Sequence, residues 1–336
     1  MSAAEFKFPD PPPNQPSWLS LAQAVFNEQT TRWETAYCGG GLRWQIYLTN
    51  NGYNYKNSIS NGGFFQLAAR LARYTNNATY SDWAERTWDW MTQSVLMDDH
   101  YSVFDGTQMD TNCTIPSKIQ WSYNAGTMLM GAANMYNYTN GDDKWRQRVT
   151  DVLKAADIFF PQNPEQQLNG NIMQEVACEP QHTCNYDQPS FKAYLARWMA
   201  ATVQLAPFTS VFTMPKLKAS ASGAAGQCSG APRGDTMCGR QWNSTKWDGN
   251  QGVGEEMSAL SIIQSTLIQK VPGPVSMNQG GTSKSDPGAG QQEGGTQQAL
   301  PALDTRTVTA GEQAGAGILT AGVVSGLVGT LVWISL

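Results

Sequence analysis

Apolar residues recur at helical spacing almost everywhere up to about residue 268, and that periodicity narrows the choice of fold more than any other feature. Ser17 can cap a helix with Trp18, Leu21, Ala22, Val25 and Phe26 on one side. Asn61 precedes a second, carrying Phe64, Leu67, Ala68, Leu71 and Ala72, and Ser81 opens a third, bearing Trp83, Ala84, Trp90 and Met91. Further helices are expected near 121–138, 143–160, 188–206 and 249–268, the last with Met257, Leu260 and Ile263. Strand-like alternation is limited to Leu42–Leu48, a hairpin at most. The expected class is all-α.

Two polar turns, Tyr74–Tyr80 and Tyr138–Asp143, each follow an aromatic-ended helix and precede a Trp-bearing one. They mark a faint repeat of helical hairpins. Gly- and Asn-rich loops at 38–60, 98–118 and 161–187 join one hairpin to the next, which suggests a toroid with loops and helix starts lining a cleft. Trp83, Trp145 and Trp198 sit at core spacing, whereas Trp44 and Trp121, nearer loops, are better placed as sugar platforms. The organisation expected is a helical domain over 1–270, a Gly/Ser/Thr/Gln-rich stalk over 271–313 and an apolar tail over 314–336.

Charged residues make up only 15% of the chain and the net charge is −5, so the surface must be built largely of amides, hydroxyls and glycine. Nucleic acid, which needs a basic face, is disfavoured. His100 and His182 lie in unrelated contexts, and no metal or cofactor site is expected. The six cysteines allow fifteen pairings. Cys178 with Cys184 and Cys228 with Cys238 can staple short loops, leaving Cys38 for Cys113. Sequons at Asn77, Asn112, Asn137 and Asn243 agree with an oxidising, secretory environment.

From Ile318 to Leu336 there is no charge, and the run ends the sequence without a following Lys or Arg. Small residues, Thr309-Ala310-Gly311, precede it across a polar spacer. A membrane span fits the length, but the layout favours a glycolipid (GPI) attachment signal, with Ala310 or Gly311 as the attachment point. The N-terminus offers no apolar signal segment, which conflicts with the rest. The expectation is a chain lacking its true N-terminal part.

Three segments carry the candidate chemistry. Asn51–Gly62 packs Tyr53, Asn54, Tyr55, Lys56 and Asn61 ahead of a helix; Gln120–Gly126 brings Trp121, Tyr123 and Asn124, with Gly126 allowing close approach; Asn185–Lys192 offers Asp187 and Gln188. Aromatic rings stack on the CH faces of sugars and amides bridge hydroxyl pairs. Each segment alone could be capping and packing, but all three open a helix, which favours one shared cleft. Glycoside hydrolysis also needs two carboxyl groups. Asp98-Asp99 reads as a solvated loop, Asp142-Asp143 as a helix cap and Glu255-Glu256 as part of a helix. Asp105, Asp110, Glu175 and Asp187 remain isolated candidates.

Tyr53–Gly62, Phe64–Tyr74, Trp121–Gly126 and Phe191–Met199, together with stalk and tail, resemble the GPI-anchored cell-wall mannan endo-1,6-α-mannosidases of fungi, glycoside hydrolase family 76. The resemblance implies an (α/α)6 barrel, here lacking its first helices, that acts on α-1,6-mannan or a GPI glycan as a monomer. It also implies a catalytic Asp-Asp pair within Asn-Asp-Asp-Gln-Ala-Phe-Trp, just upstream of the helix that ends at Met1-Ser-Ala-Ala-Glu. That stretch does not occur in the 336 residues, and Asp98-Asp99 does not match its flanks. No catalytic residue is therefore assigned, and an inactive chain with some exposed apolar helix faces is expected.

Overall fold

The computed structural model describes residues 1–163, 168–230, 236–244 and 246–291, with scattered positions between 309 and 322. Met1–Gln291 forms one compact unit and Gln292–Leu336 another. The first is helical, as expected: α1 (Ser2–Glu5), α2 (Trp18–Thr31), α3 (Ser58–Thr75), α4 (Ala78–Gln93), α5 (Ser122–Tyr138), α6 (Asp143–Ala155), α7 (Phe191–Leu205), α8 (Ser210–Gln227) and α9 (Val253–Ser265).

Helices α3, α5, α7 and α9 form an inner layer in which each packs on the next, while α4, α6 and α8 pack outside as return helices. The inner helices run parallel, because successive contacts advance together along both partners. Glycines let them approach closely: a Cβ on Gly131 would stand 2.2 Å from the Phe65 ring, and one on Gly126 would stand 2.4 Å from Trp198. Ser258 Oγ donates to Pro189 O and Ser265 Oγ to Ala196 O, in register along α9 and α7. Parallel inner helices with antiparallel returns make the helical toroid anticipated above. The inner helices, together with α1, border an open pocket of about 440 Å³ lined by Arg70, Trp198, Gln204 and Ser261.

Local chemistry explains where helices begin. Ser17 caps α2 by accepting from Ser20 N, as expected. The next two helices start earlier than periodicity suggested, because Asn57 rather than Asn61 caps α3 and Asn77 rather than Ser81 caps α4. Two buried faces also differ from the expected ones. Leu19, Ala22, Gln23 and Phe26 of α2 turn inward while Leu21 and Val25 stay exposed, and α9 buries Ser258, Ala259 and Ile262 while Leu260 and Ile263 face out. Helix α8 was not anticipated, since its small residues and Pro215 blur the apolar period.

The Leu42–Leu48 hairpin is reduced to a single bridge, Arg43 to Lys56. Strand pairing goes instead to β1 (Tyr55–Asn57), β2 (Gly106–Gln108) and β3 (Pro116–Ser117), an antiparallel ribbon with Tyr55 opposite Gln108 and Gly106 opposite Ser117. A second ladder pairs β4 (Gln162–Asn163) with β5 (Leu168–Asn169).

The stalk boundary at 270 needs correction. Residues 274–289 are laced onto the helices: Arg73 donates to Pro274 O and Val275 O, and Asn27 to Pro287 O and Ala289 O. Repeated carbonyls in an aperiodic segment can satisfy buried side chains, so low periodicity did not mean detachment. The apolar tail lies mostly outside the described residues; among those described, no helix is long and apolar enough to cross a membrane.

Candidate active site

The loops expected to line a cleft all precede inner helices, and two disulfides fasten them. Cys38–Cys113 joins the loop before α3 to the loop before α5, and Cys178–Cys184 closes the loop before α7. Cys228–Cys238 follows α8, so all three expected pairs form.

Asp105 stands at the focus. Its N–H donates to Ile119 O at 2.8 Å and its carbonyl accepts from Ser58 N at 2.9 Å, which pins it at the first residue of α3. Tyr55 donates its hydroxyl to Asp105 Oδ2 at 2.6 Å. Burial raises the Asp105 pKa, against the opposing pull of Tyr55, Trp121 and Asn124. Burial and the Asp105 carboxylate together raise the phenol of Tyr55. Tyr123 is raised by burial first and then by the charges of Asp105, Asp187 and Glu175. Tyr123 stacks on Phe191 with centroids 4.0 Å apart, and Trp121 meets the same ring edge-on at 5.5 Å. The starts of α5 and α7 are thereby joined through aromatic contact. Asn124 is fully buried, and neither polar atom of its amide makes a well-formed hydrogen bond among the described residues. Its amide is turned to the Asp105 carboxylate, whose pKa it helps to hold down.

Of the residues singled out from sequence, Tyr55, Trp121, Tyr123 and Asn124 gather around Asp105, and Asp187 lies exposed beside them. Tyr53 and Asn54 lie to one side: Arg43 stacks over the Tyr53 ring at 4.2 Å and donates to Asn54 Oδ1 at 3.0 Å. Gln188 turns back to accept from Asn185 N. Lys56 and Asn61 hold the loop rather than face the cleft. Lys56 is wholly buried and donates to Glu34 O, Tyr37 O and Gly40 O. Asn61, also buried, exchanges hydrogen bonds with the backbone of Leu42. Asp98 caps its own turn, accepting from His100 N and Ser102 N.

Two carboxylates proved more central than the sequence indicated. Glu175 is fully buried and accepts from Ser122 N at 3.0 Å and from the Ser122 hydroxyl, capping α5, whose own N-cap residue Trp121 has no side-chain acceptor. Burial pushes its pKa up to about 8. Glu179 forms a buried ion pair with Lys192 at 2.7 Å, and Lys192 also donates to Arg240 O and lies 3.7 Å from the centre of the Trp242 ring. The only hint in sequence was two carboxylates four residues apart among apolar neighbours beside Cys178.

A helical toroid with carboxylates, amides and aromatic rings where its inner helices begin has the chemistry to hold a neutral glycan. Residues 1–278 match the model of glycosyl hydrolase family 76. The mannan endo-1,6-alpha-mannosidase DCW1 of Candida albicans is 46% identical, covering 100% of this chain and 73% of its own. That of Saccharomyces cerevisiae is 45% identical, covering 99% and 72%. The crystal structure of Dfg5 from Chaetomium thermophilum in complex with glucosamine matches with a TM-score of 0.80 at 43% identity, over 86% of this chain and 70% of that one. The chain belongs to glycosyl hydrolase family 76.

Proposed function

We propose that the cleft around Asp105 holds the α-1,6-linked mannose backbone of mannan or of a GPI glycan, the substrate class for which the relatives are named. The observation that carries this reading is a half-buried carboxylate ringed by Tyr55, Trp121, Tyr123 and Asn124 at the starts of two inner helices. Such a site grips a neutral sugar: rings cover CH faces, while the half-buried carboxylate takes hydroxyls. Asp187, at the rim, extends the acceptor set.

Hydrolysis needs an acid and a second carboxylate as base or nucleophile. We assign the residues around Asp105 to binding and orienting the sugar. The test is calorimetric titration with α-1,6-mannotetraose. Binding is expected, and Asp105→Ala should weaken it about tenfold or more, as for the loss of a hydrogen bond to a charged group. Undiminished binding by Asp105→Ala would overturn the placement of the sugar at this carboxylate.

The apolar run 314–336 is proposed as a GPI-attachment signal, placing the mature protein on the outer face of the plasma membrane or in the wall. Phosphatidylinositol-specific phospholipase C should then release it from intact cells. Retention after treatment, with extraction only by detergent, would favour a true membrane span instead.

A further inference from the structure

We propose that Trp44 is the platform of an additional sugar subsite, outside the Asp105 cleft and continuous with it, that takes one more hexopyranose ring of a bound mannan chain. The proposal rests on the mannan reading above and extends it.

The Trp44 side chain is 48% exposed, yet its position is fixed. The backbone N–H of Trp44 donates to Tyr55 O at 2.7 Å, which anchors the residue to the strand. A Cβ added to Gly52 would stand 2.2 Å from the indole, so the ring lies directly on that glycine's backbone, and Gly52 at φ +89° is also where the turn needs glycine. The Tyr55 ring meets the indole edge-on with centroids 6.3 Å apart. Tyr55 is seated in the same manner, since a Cβ on Gly106 would stand 2.3 Å from its ring. Two aromatic rings, each laid on a glycine, thus lead from the surface to the Asp105 carboxylate without a break.

An exposed indole held this firmly is already ordered for stacking, so a ligand that covers it does not have to freeze it. The surroundings select for an uncharged partner. Arg43, the nearest cation in sequence, is neutralised by Glu34 through two contacts of 2.8 Å. In the same loop Asn50 donates to Gln45 Oε1 at 3.2 Å and Asn51 is exposed, which supplies amides for sugar hydroxyls. An exposed ring, amides in its loop and a neutralised Arg43 together fit a pyranose.

The experiment is titration of the full chain, Trp44→Ala and Trp44→Phe with α-1,6-mannobiose and α-1,6-mannohexaose. Trp44→Ala should weaken mannohexaose about five- to tenfold, the value of one aromatic contact, and leave mannobiose unchanged, with Trp44→Phe restoring most of the loss. Equal losses for both sugars, or unaltered mannohexaose binding, would overturn the subsite. So would loss of binding to phosphatidylcholine vesicles in Trp44→Ala with sugar affinity intact, which would assign the exposed loop to a lipid surface. Asp105→Ala, run in parallel, should weaken both sugars. If the unaltered chain binds neither, the mannan reading fails and the subsite falls with it.

Discussion

Replacing Glu5 with alanine is expected to destabilise the protein by about 3–5 kcal/mol at neutral pH, the usual consequence of stripping one partner from a buried ion pair. Glu5 ends the four-residue helix α1 and is 1% exposed. It is paired with Arg70, and with Arg73 at 3.1 Å. Without it, Arg73 would remain 4% exposed with no carboxylate, and an arginine cannot shed its charge to escape. The carbonyls of Pro274 and Val275 already bonded to Arg73 do not neutralise it. Burial alone would raise the Glu5 pKa, but the two arginines outweigh it and hold it below the ordinary value. The stabilisation is therefore present above the unfolded pKa near 4.5 and is lost as pH falls through the lower folded value. Denaturant titration at pH 7 reads the effect. Glu28→Ala, which breaks the exposed pair with Arg32, is the control and should cost well under ~1 kcal/mol. Similar losses in the two variants would show that burial does not govern the Glu5 pair.

Glu175 should act in the opposite direction along the pH axis. Its pKa is about 8 in the folded protein against 4.5 in the unfolded chain. Between those values the fold keeps a proton that the unfolded chain releases, so stability is full below 4.5 and falls as pH rises towards 8. The shift corresponds to a loss on the order of 4 kcal/mol across that window. Glu175→Gln retains an acceptor for Ser122 N and cannot ionise, so its stability should stay flatter from pH 5 to 8 and exceed that of the unaltered chain at the alkaline end. Parallel pH–stability curves for the two proteins would show that Glu175 is charged throughout. Because Glu175 caps α5 beside Tyr123 and Asn124, the variant also reports whether that helix start depends on a protonated cap.

The helical class, the Ser17 cap, the staples at 178–184 and 228–238 and the aromatic–amide segments were legible because each is written locally. Apolar spacing makes a helix face, a short polar side chain can cap it, and two nearby cysteines can meet. Errors arose where several local solutions competed. Asn57 and Asn61 could each cap α3, and an apolar side chain such as Leu21 or Leu260 does not say which side of its helix will meet a neighbour.

Local sequence holds the inventory: helices in pairs, loops rich in amides and rings, cysteines that close them and the motifs that carry the family resemblance. What those parts do depends on how they pack. Asp105 comes from the loop before α5, Glu175 and Asp187 from the loop before α7, and none carries a local pattern; packing of α5 against α7 brings all three close enough for their charges to act on Tyr123. Lys56 and Asn61 belong to the same motif as Tyr55 but point the other way, into the loop they hold. The physical reason is that burial and proximity are properties of the folded whole. They set which polar group spends its hydrogen bonds on the protein and which keeps them for a ligand.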